Sequence, residues 1–317
     1  MLTVGNYHYI RENFTTLYPS IFGFTPEYFK KQLIKLNNIG CFVHPKDLID
    51  DVKEIINSKK HYILISFDDG LREQFDLAKP ILDTLKIPAI FFVNTINHID
   101  KEVSLVHKIH LLRSKISPKI FMDLLLESDL ECNINLTTTE KEKAILHYNY
   151  DKPESAYLKY LLNFKLTIVE QSTLINDMFN QNFNNEMVVN DLYMSTKQLS
   201  NLAKQDMLGS HSHSHSALAY LSPELIRKEL ETSKNYLEYL TQCSINCVSY
   251  PYGSKEACSE PVGFISKEVG YTLGFTMERG INTGSEHNLY LKRFDCNDLP
   301  IGKNEKVFNN EYSTFYK

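Results

Sequence analysis

The chain has 317 residues, a net charge of −5, and 43% hydrophobic against 23% charged residues. That length holds one large domain or two ordinary ones, and the composition is that of a soluble globular protein. A pI near 6.1 excludes a nucleic-acid partner held by a strongly basic surface.

The opening MLTVGNYHYIRENF lacks the basic and apolar regions of a secretory signal. No apolar run approaches the roughly 18 residues of a membrane helix, so a cytoplasmic location is expected. The six cysteines, at 41, 132, 243, 247, 258 and 296, form no CxxC pair. They are expected to be reduced, mostly buried thiols and not zinc ligands.

LTVGNYHYI (2–10) reads as a short strand. TPEYFKKQLIKLNNIG (25–40) reads as a helix, with Thr25 as cap, Pro26 at its first position, and Phe29, Leu33 and Leu36 on one face. A second helix is expected at 45–56. HYILISFDDG (61–70) is a buried strand ending in a turn, followed by a helix over 71–86 and a strand over 89–95. This strand–helix–strand order is that of a parallel α/β unit. From 98 to 189 the texture becomes richer in Asn, Lys, Glu and Leu, with helical spacing at 104–116 and 155–166, as in a mainly helical insertion. Beyond it come a helix (195–206), a strand with its exit loop (207–215) and a long helix (222–241) capped by Ser222. A strand (246–253), a helix (265–270) and two strands (271–277 and 289–295) complete the pattern. The fold class is α/β, with the strands able to close as a barrel.

Two motifs carry chemistry. Asp68 and Asp69 end a buried strand, where parallel α/β proteins place their sites, and neighbouring side chains diverge to take separate tasks. DDG is equally good turn chemistry, so both readings stand on this motif alone. In GSHSHSHS, His211 and His215 are four apart, with His213 between them. Two imidazoles and a carboxylate with a position open to water form a known catalytic metal arrangement, while a solvated polar loop is the alternative.

Taken together, SFDDG (66–70) and HSHSH (211–215), with PYG (251–253), resemble the polysaccharide deacetylase family of NodB-homology carbohydrate esterases. The resemblance covers about 1–97 and 190–300 and implies a distorted (β/α) barrel, with 98–189 inserted. It implies Asp68 as catalytic base and Asp69, His211 and His215 as ligands of one divalent metal, zinc first, with cobalt, nickel, manganese or iron as alternatives. It also implies that the backbone N–H of Tyr252 helps to form an oxyanion hole. YHYIRE and RGINT…RFDCNDLP are similar to members encoded with surface-sugar biosynthesis genes.

Two positions depart from the family's pattern. An arginine usually stands two residues before the motif's proline, where it orients the catalytic aspartate, and here that residue is Ser249. A histidine usually supplies the acid on a late strand, and here LYLKRFD offers Arg293 and Asp295 instead. His8 is the first candidate for that acid, with His213 and Asp295 behind it, and Arg293 is a candidate partner of Asp68 or of a substrate phosphate. His98, His107, His110, His147 and His287 are expected to be structural. The resemblance thus implies a metal-dependent N-deacetylase whose substrate is an acylated amino sugar, free or linked to a nucleotide or lipid, in surface-glycan biosynthesis. The alternatives are a deformylase or amidase on another N-acyl substrate, or an inactive glycan-binding member.

Overall fold

The computed structural model describes residues 1–127, 135–148 and 151–315. Its strands are β1 (Leu2–Tyr7), β2 (Cys41–Phe42), β3 (Tyr62–Phe67), β4 (Ala89–Val93), β5 (Leu208–Ser210), β6 (Cys247–Ser249), β7 (Leu273–Phe275) and β8 (Phe294–Asp295). They form one sheet in the order β7-β6-β5-β4-β3-β1-β8, with β2 added beside β3. Every pairing in its ladders is parallel, and the sheet curls into a half-barrel. The (β/α) architecture expected from the motifs is therefore present.

The helices that follow the strands are α1 (Pro26–Asn37), α2 (Pro45–Asn57), α3 (Lys79–Leu85) and α4 (Ile96–Ile99). After these come α5 (Leu105–Lys115), α6 (Pro118–Leu126), α7 (Thr138–His147), α8 (Pro153–Tyr160), α9 (Ile168–Asn182), α10 (Asn185–Leu192) and α11 (Thr196–Ala203). The last three are α12 (Pro223–Thr241), α13 (Glu260–Val269) and α14 (Lys306–Phe315). No described helix is long and apolar enough to cross a membrane.

The chain separates into two compact units. The first comprises Met1–Asn13, Gly23–Glu102 and Val189–Lys317 and contains the sheet. β3 and β4 are buried throughout apart from Tyr62, and Phe67 stacks on Phe91 with ring centroids 4.8 Å apart. Each such ring removed from water contributes about 1.5–3 kcal/mol. α1 buries Phe29, Leu33 and Leu36 as its spacing predicts, and Thr25 Oγ1 accepts from the Tyr28 N–H as cap. α12 is capped in the same way by Ser222 and buries Ile226, Leu230 and Leu237. The second unit comprises Phe14–Phe22 and Val103–Val188, and among the described residues every regular element wholly within it is a helix. Its helices α7 and α9 open with reciprocal capping boxes, Thr137 with Glu140 and Thr167 with Glu170.

Several expected elements differ in detail. The helix expected over 71–86 opens with a π-helical turn, Gln74–Ala78, before α3. α13 begins five residues earlier than expected, because Pro261 fits a first helical turn. Of the strand expected over 289–295 only Phe294 and Asp295 join the sheet; Leu291 makes an isolated bridge to Phe275. α14 carried no expectation. Cys247, Cys258 and Cys296 are buried free thiols, Cys243 is partly buried and Cys41 exposed, while Cys132 lies outside the described residues.

Candidate active site

Parallel register brings the C-terminal ends of the strands to one edge. Asn6 pairs with Ser66 in β3 and with Asp295 in β8, so His8 and Asp68 leave the sheet side by side. Val93 pairs with Ser210, which brings His211 out next to Asn94.

Asp69 turns away from Asp68 by adopting left-handed backbone, with φ 79°. Its Oδ1 lies 3.5 Å from His211 Nε2 and 3.3 Å from His215 Nε2. One ligand atom from each of the three residues falls within 4.8 Å of the others. His211 Nδ1 lies 2.7 Å from the Ser249 carbonyl, which can only accept, so Nδ1 carries the hydrogen and Nε2 presents a lone pair towards Asp69. Burial first, and the neighbouring His215, push the His211 pKa down to about 4 against the pull of Asp68 and Asp69, so the ring is neutral at pH 7. A carboxylate and two imidazoles, with one tautomer fixed from behind, suit a zinc-like divalent cation and leave coordination positions over.

Asp68 is held differently. Arg293 NH1 donates to Oδ1 at 2.9 Å and NH2 to Oδ2 at 2.8 Å, and Asn6 Nδ2 donates to Oδ2 at 2.9 Å. Arg293 is fully buried and also donates to the Thr276 carbonyl, Asn6 Oδ1 and Ser249 Oγ. Burial alone would raise the Asp68 pKa; the Arg293 guanidinium, by its charge and its paired donors, outweighs it and holds the carboxyl well below its usual range. The serine in the third motif thus supports a guanidinium that arrives from just before β8. The Gln74 amide, at the start of the π-helical turn, donates to the backbone carbonyls of Asp68 and His8 at 2.6 and 2.9 Å.

His8 Nε2 stands 4.0 Å from Asp68 Oδ2, with the His8 side chain 36% exposed. Tyr252 is exposed, has φ 62°, and sets its ring 5.1 Å from that of His215. His213 does not join the three: Thr95 Oγ1 lies 3.0 Å from its Nδ1 and Asp100 Oδ2 3.0 Å from its Nε2. Asp295 Oδ1 accepts from the backbone and side-chain N–H groups of Asn297. Asp68, Asp69, His211, His215, His8, Tyr252 and Arg293 therefore gather at one sheet edge, and His213 and Asp295 are occupied elsewhere. Four of the non-glycine residues with left-handed backbone, Asp69, Ser212, His215 and Tyr252, cluster here. Such strain persists where the surroundings dictate it, commonly at functional sites. Reading the sequence missed Asn6, Gln74 and Glu229, described below; only Asn6, a polar residue in a buried strand, gave a signal.

The family model for polysaccharide deacetylase matches residues 175–274, which include His211, His215 and Tyr252. The resemblance to the polysaccharide deacetylases is borne out. Ser66–Gly70 lies outside the matched stretch. The Streptococcus pyogenes deacetylase PplD, solved in complex with acetate, is 17% identical, covering 98% of this chain and 97% of that one, with a TM-score of 0.56. IcaB from Ammonifex degensii is 16% identical over 98% and 96% of the two chains, with a TM-score of 0.54. A de-N-acetylase from Aggregatibacter actinomycetemcomitans is 13% identical over 97% and 99%, with a TM-score of 0.55. At these identities the likeness is one of fold. No curated protein matches the chain.

Proposed function

We propose that the protein is a metal-dependent N-deacetylase acting on an acetylated amino sugar, free or linked to a nucleotide or lipid, in the assembly of a surface glycan. The carrying observation is the division of labour between adjacent carboxylates: Asp69 faces two imidazoles, while Asp68 sits ionised in a cage of donors. Asp69, His211 and His215 would hold one divalent cation, zinc before cobalt, nickel, manganese or iron. Bound there, such a cation supplies Lewis acidity and makes water more acidic.

Asp68 takes the proton of the attacking water as its oxygen bonds to the amide carbon. Arg293 and Asn6 hold that carboxylate in position. The Tyr252 N–H donates to the oxyanion of the tetrahedral centre, and a donor of this kind is worth on the order of 3 kcal/mol. His8, beside Asp68, gives a proton to the amine nitrogen as the C–N bond breaks, leaving acetate and a free amino sugar. The unit that contains the sheet carries this chemistry, with the helical stretch 98–189 inserted into it.

The test is product analysis. Protein loaded with zinc is incubated with N-acetylated and N-formylated amino sugars and with non-sugar amides. Acetate from an acetamido sugar supports the proposal. Formate release alone, or hydrolysis of non-sugar amides alone, replaces it with a deformylase or amidase. Retention of a sugar with no release of acid replaces it with a binding protein.

A further inference from the structure

Two backbone amides between the paired histidines converge on one oxygen. The N–H groups of His213 and Ser214 donate to Glu229 Oε2 at 3.1 and 2.8 Å. Glu229 lies on α12, beside the stripe of Ile226, Leu230 and Ser233 that this helix buries. On the same helix Arg227 pairs with Glu231 and Glu268, and Lys234 with Glu238. The Glu229 carboxylate instead reaches the loop.

That loop needs holding. Ser212 and His215 have φ 60° and 64°, a conformation that costs an L-residue free energy. Successive amides in such a turn converge on one position, and Glu229 supplies an acceptor oxygen there from within the chain. On its other side the loop is tied to the exit of β4. The Ile96 N–H donates to the His213 carbonyl at 3.0 Å and Asn94 Nδ2 to the His211 carbonyl at 2.5 Å. His211 leaves β5 with the sheet's support; His215 is four residues beyond it, and Glu229 fastens the stretch between them.

We propose that Glu229 is a positioning residue: by accepting from the His213 and Ser214 amides it fixes the turn that presents His215 to Asp69 and His211. The assignment rests on those three residues being cation ligands. Metal-free wild type and the variants E229Q, E229A and E229D are titrated with zinc against a competing chelator. They are also titrated with cobalt, read by visible absorption, and their unfolding is recorded without metal. E229Q keeps an oxygen acceptor without the charge and is expected to bind zinc within about threefold of wild type, with the same cobalt spectrum. E229A loses the acceptor and is expected to bind about 10- to 100-fold more weakly, with an altered spectrum, the range seen when a partner behind a metal ligand is removed. Where E229A does not fold, E229D, one methylene too short, is expected to show the same weakening. Folded E229A or E229D with wild-type affinity and spectrum overturns the proposal. So does E229Q binding as weakly as E229A, because charge and not the hydrogen-bond acceptor would then be what matters. Wild type taking up no cation would overturn the ligand assignment as well, a result distinct from either.

Discussion

Arg293 grips both carboxylate oxygens of Asp68, at 2.9 and 2.8 Å, from 225 residues further along the chain. The pair is buried, so removing either partner strands the other as an uncompensated charge. R293M is expected to lose about 3–5 kcal/mol of stability by thermal or denaturant unfolding. R293K keeps the charge but not the two-pronged donor and is expected to recover only part of this. In folded R293M the Asp68 pKa rises, since the cation that lowers it is gone. The acid limb of kcat/KM therefore moves to higher pH.

His8 stands apart from the three candidate ligands yet 4.0 Å from Asp68. H8A is expected to take up one equivalent of zinc like wild type while kcat falls by about 100-fold or more, the usual worth of a proton donor. Unchanged kcat would remove His8 from the reaction.

Much of this site was legible before any coordinates. SFDDG and HSHSH stand at strand ends in the sequence, and strand ends of a parallel sheet share an edge; that Asp69 in particular meets His211 and His215 was implied by the resemblance to the polysaccharide deacetylases. Arg293 was visible as a candidate partner of Asp68 or of a substrate phosphate, and LYLKRFD, which reads as a strand, does not choose between them. In the structure the segment before β8 leaves the ladder, with the Arg293 N–H on the Glu278 carbonyl and the Lys292 N–H on Asn282 Oδ1. Glu229 looks like any charge on an amphipathic helix, and no periodicity reveals a carboxylate that serves a loop. The start of α13 was hidden by Gly263, which lowers helix propensity. It is needed because a Cβ there would sit 2.2 Å from the Tyr290 hydroxyl oxygen.

Gly70 follows the two aspartates with φ 65°, and a Cβ on it would meet Val93 Cγ1 at 2.2 Å. G70A is expected to lose about 2 kcal/mol or more, from left-handed backbone and overpacking combined. It is also expected to weaken zinc binding, because Asp69 is displaced with it. Equal unfolding midpoints and zinc affinity for the two proteins would contradict the tight packing behind this turn.

Burial lowers the pKa values of His61, His98 and His211 to about 4 each. In the unfolded chain they titrate near about 6.5. Between those values the unfolded state binds protons that the folded state does not, so falling pH favours unfolding. The metal-free protein is expected to keep full stability from these groups above about pH 6.5 and to lose it progressively down to about pH 4. The steepest slope is about 4 kcal/mol per pH unit if all three act together. Denaturant midpoints measured across this range check the slope, and a flat profile would contradict it.

The central claim is that one cation, held by Asp69, His211 and His215, serves the hydrolysis of an acetamido sugar. The most direct measurement is zinc content and acetate release side by side for wild type and D69A, both purified without a tag. One equivalent of zinc and steady acetate release in wild type, with both lost in folded D69A, is the predicted result. D69A that retains its zinc and turns over at the wild-type rate would contradict the claim.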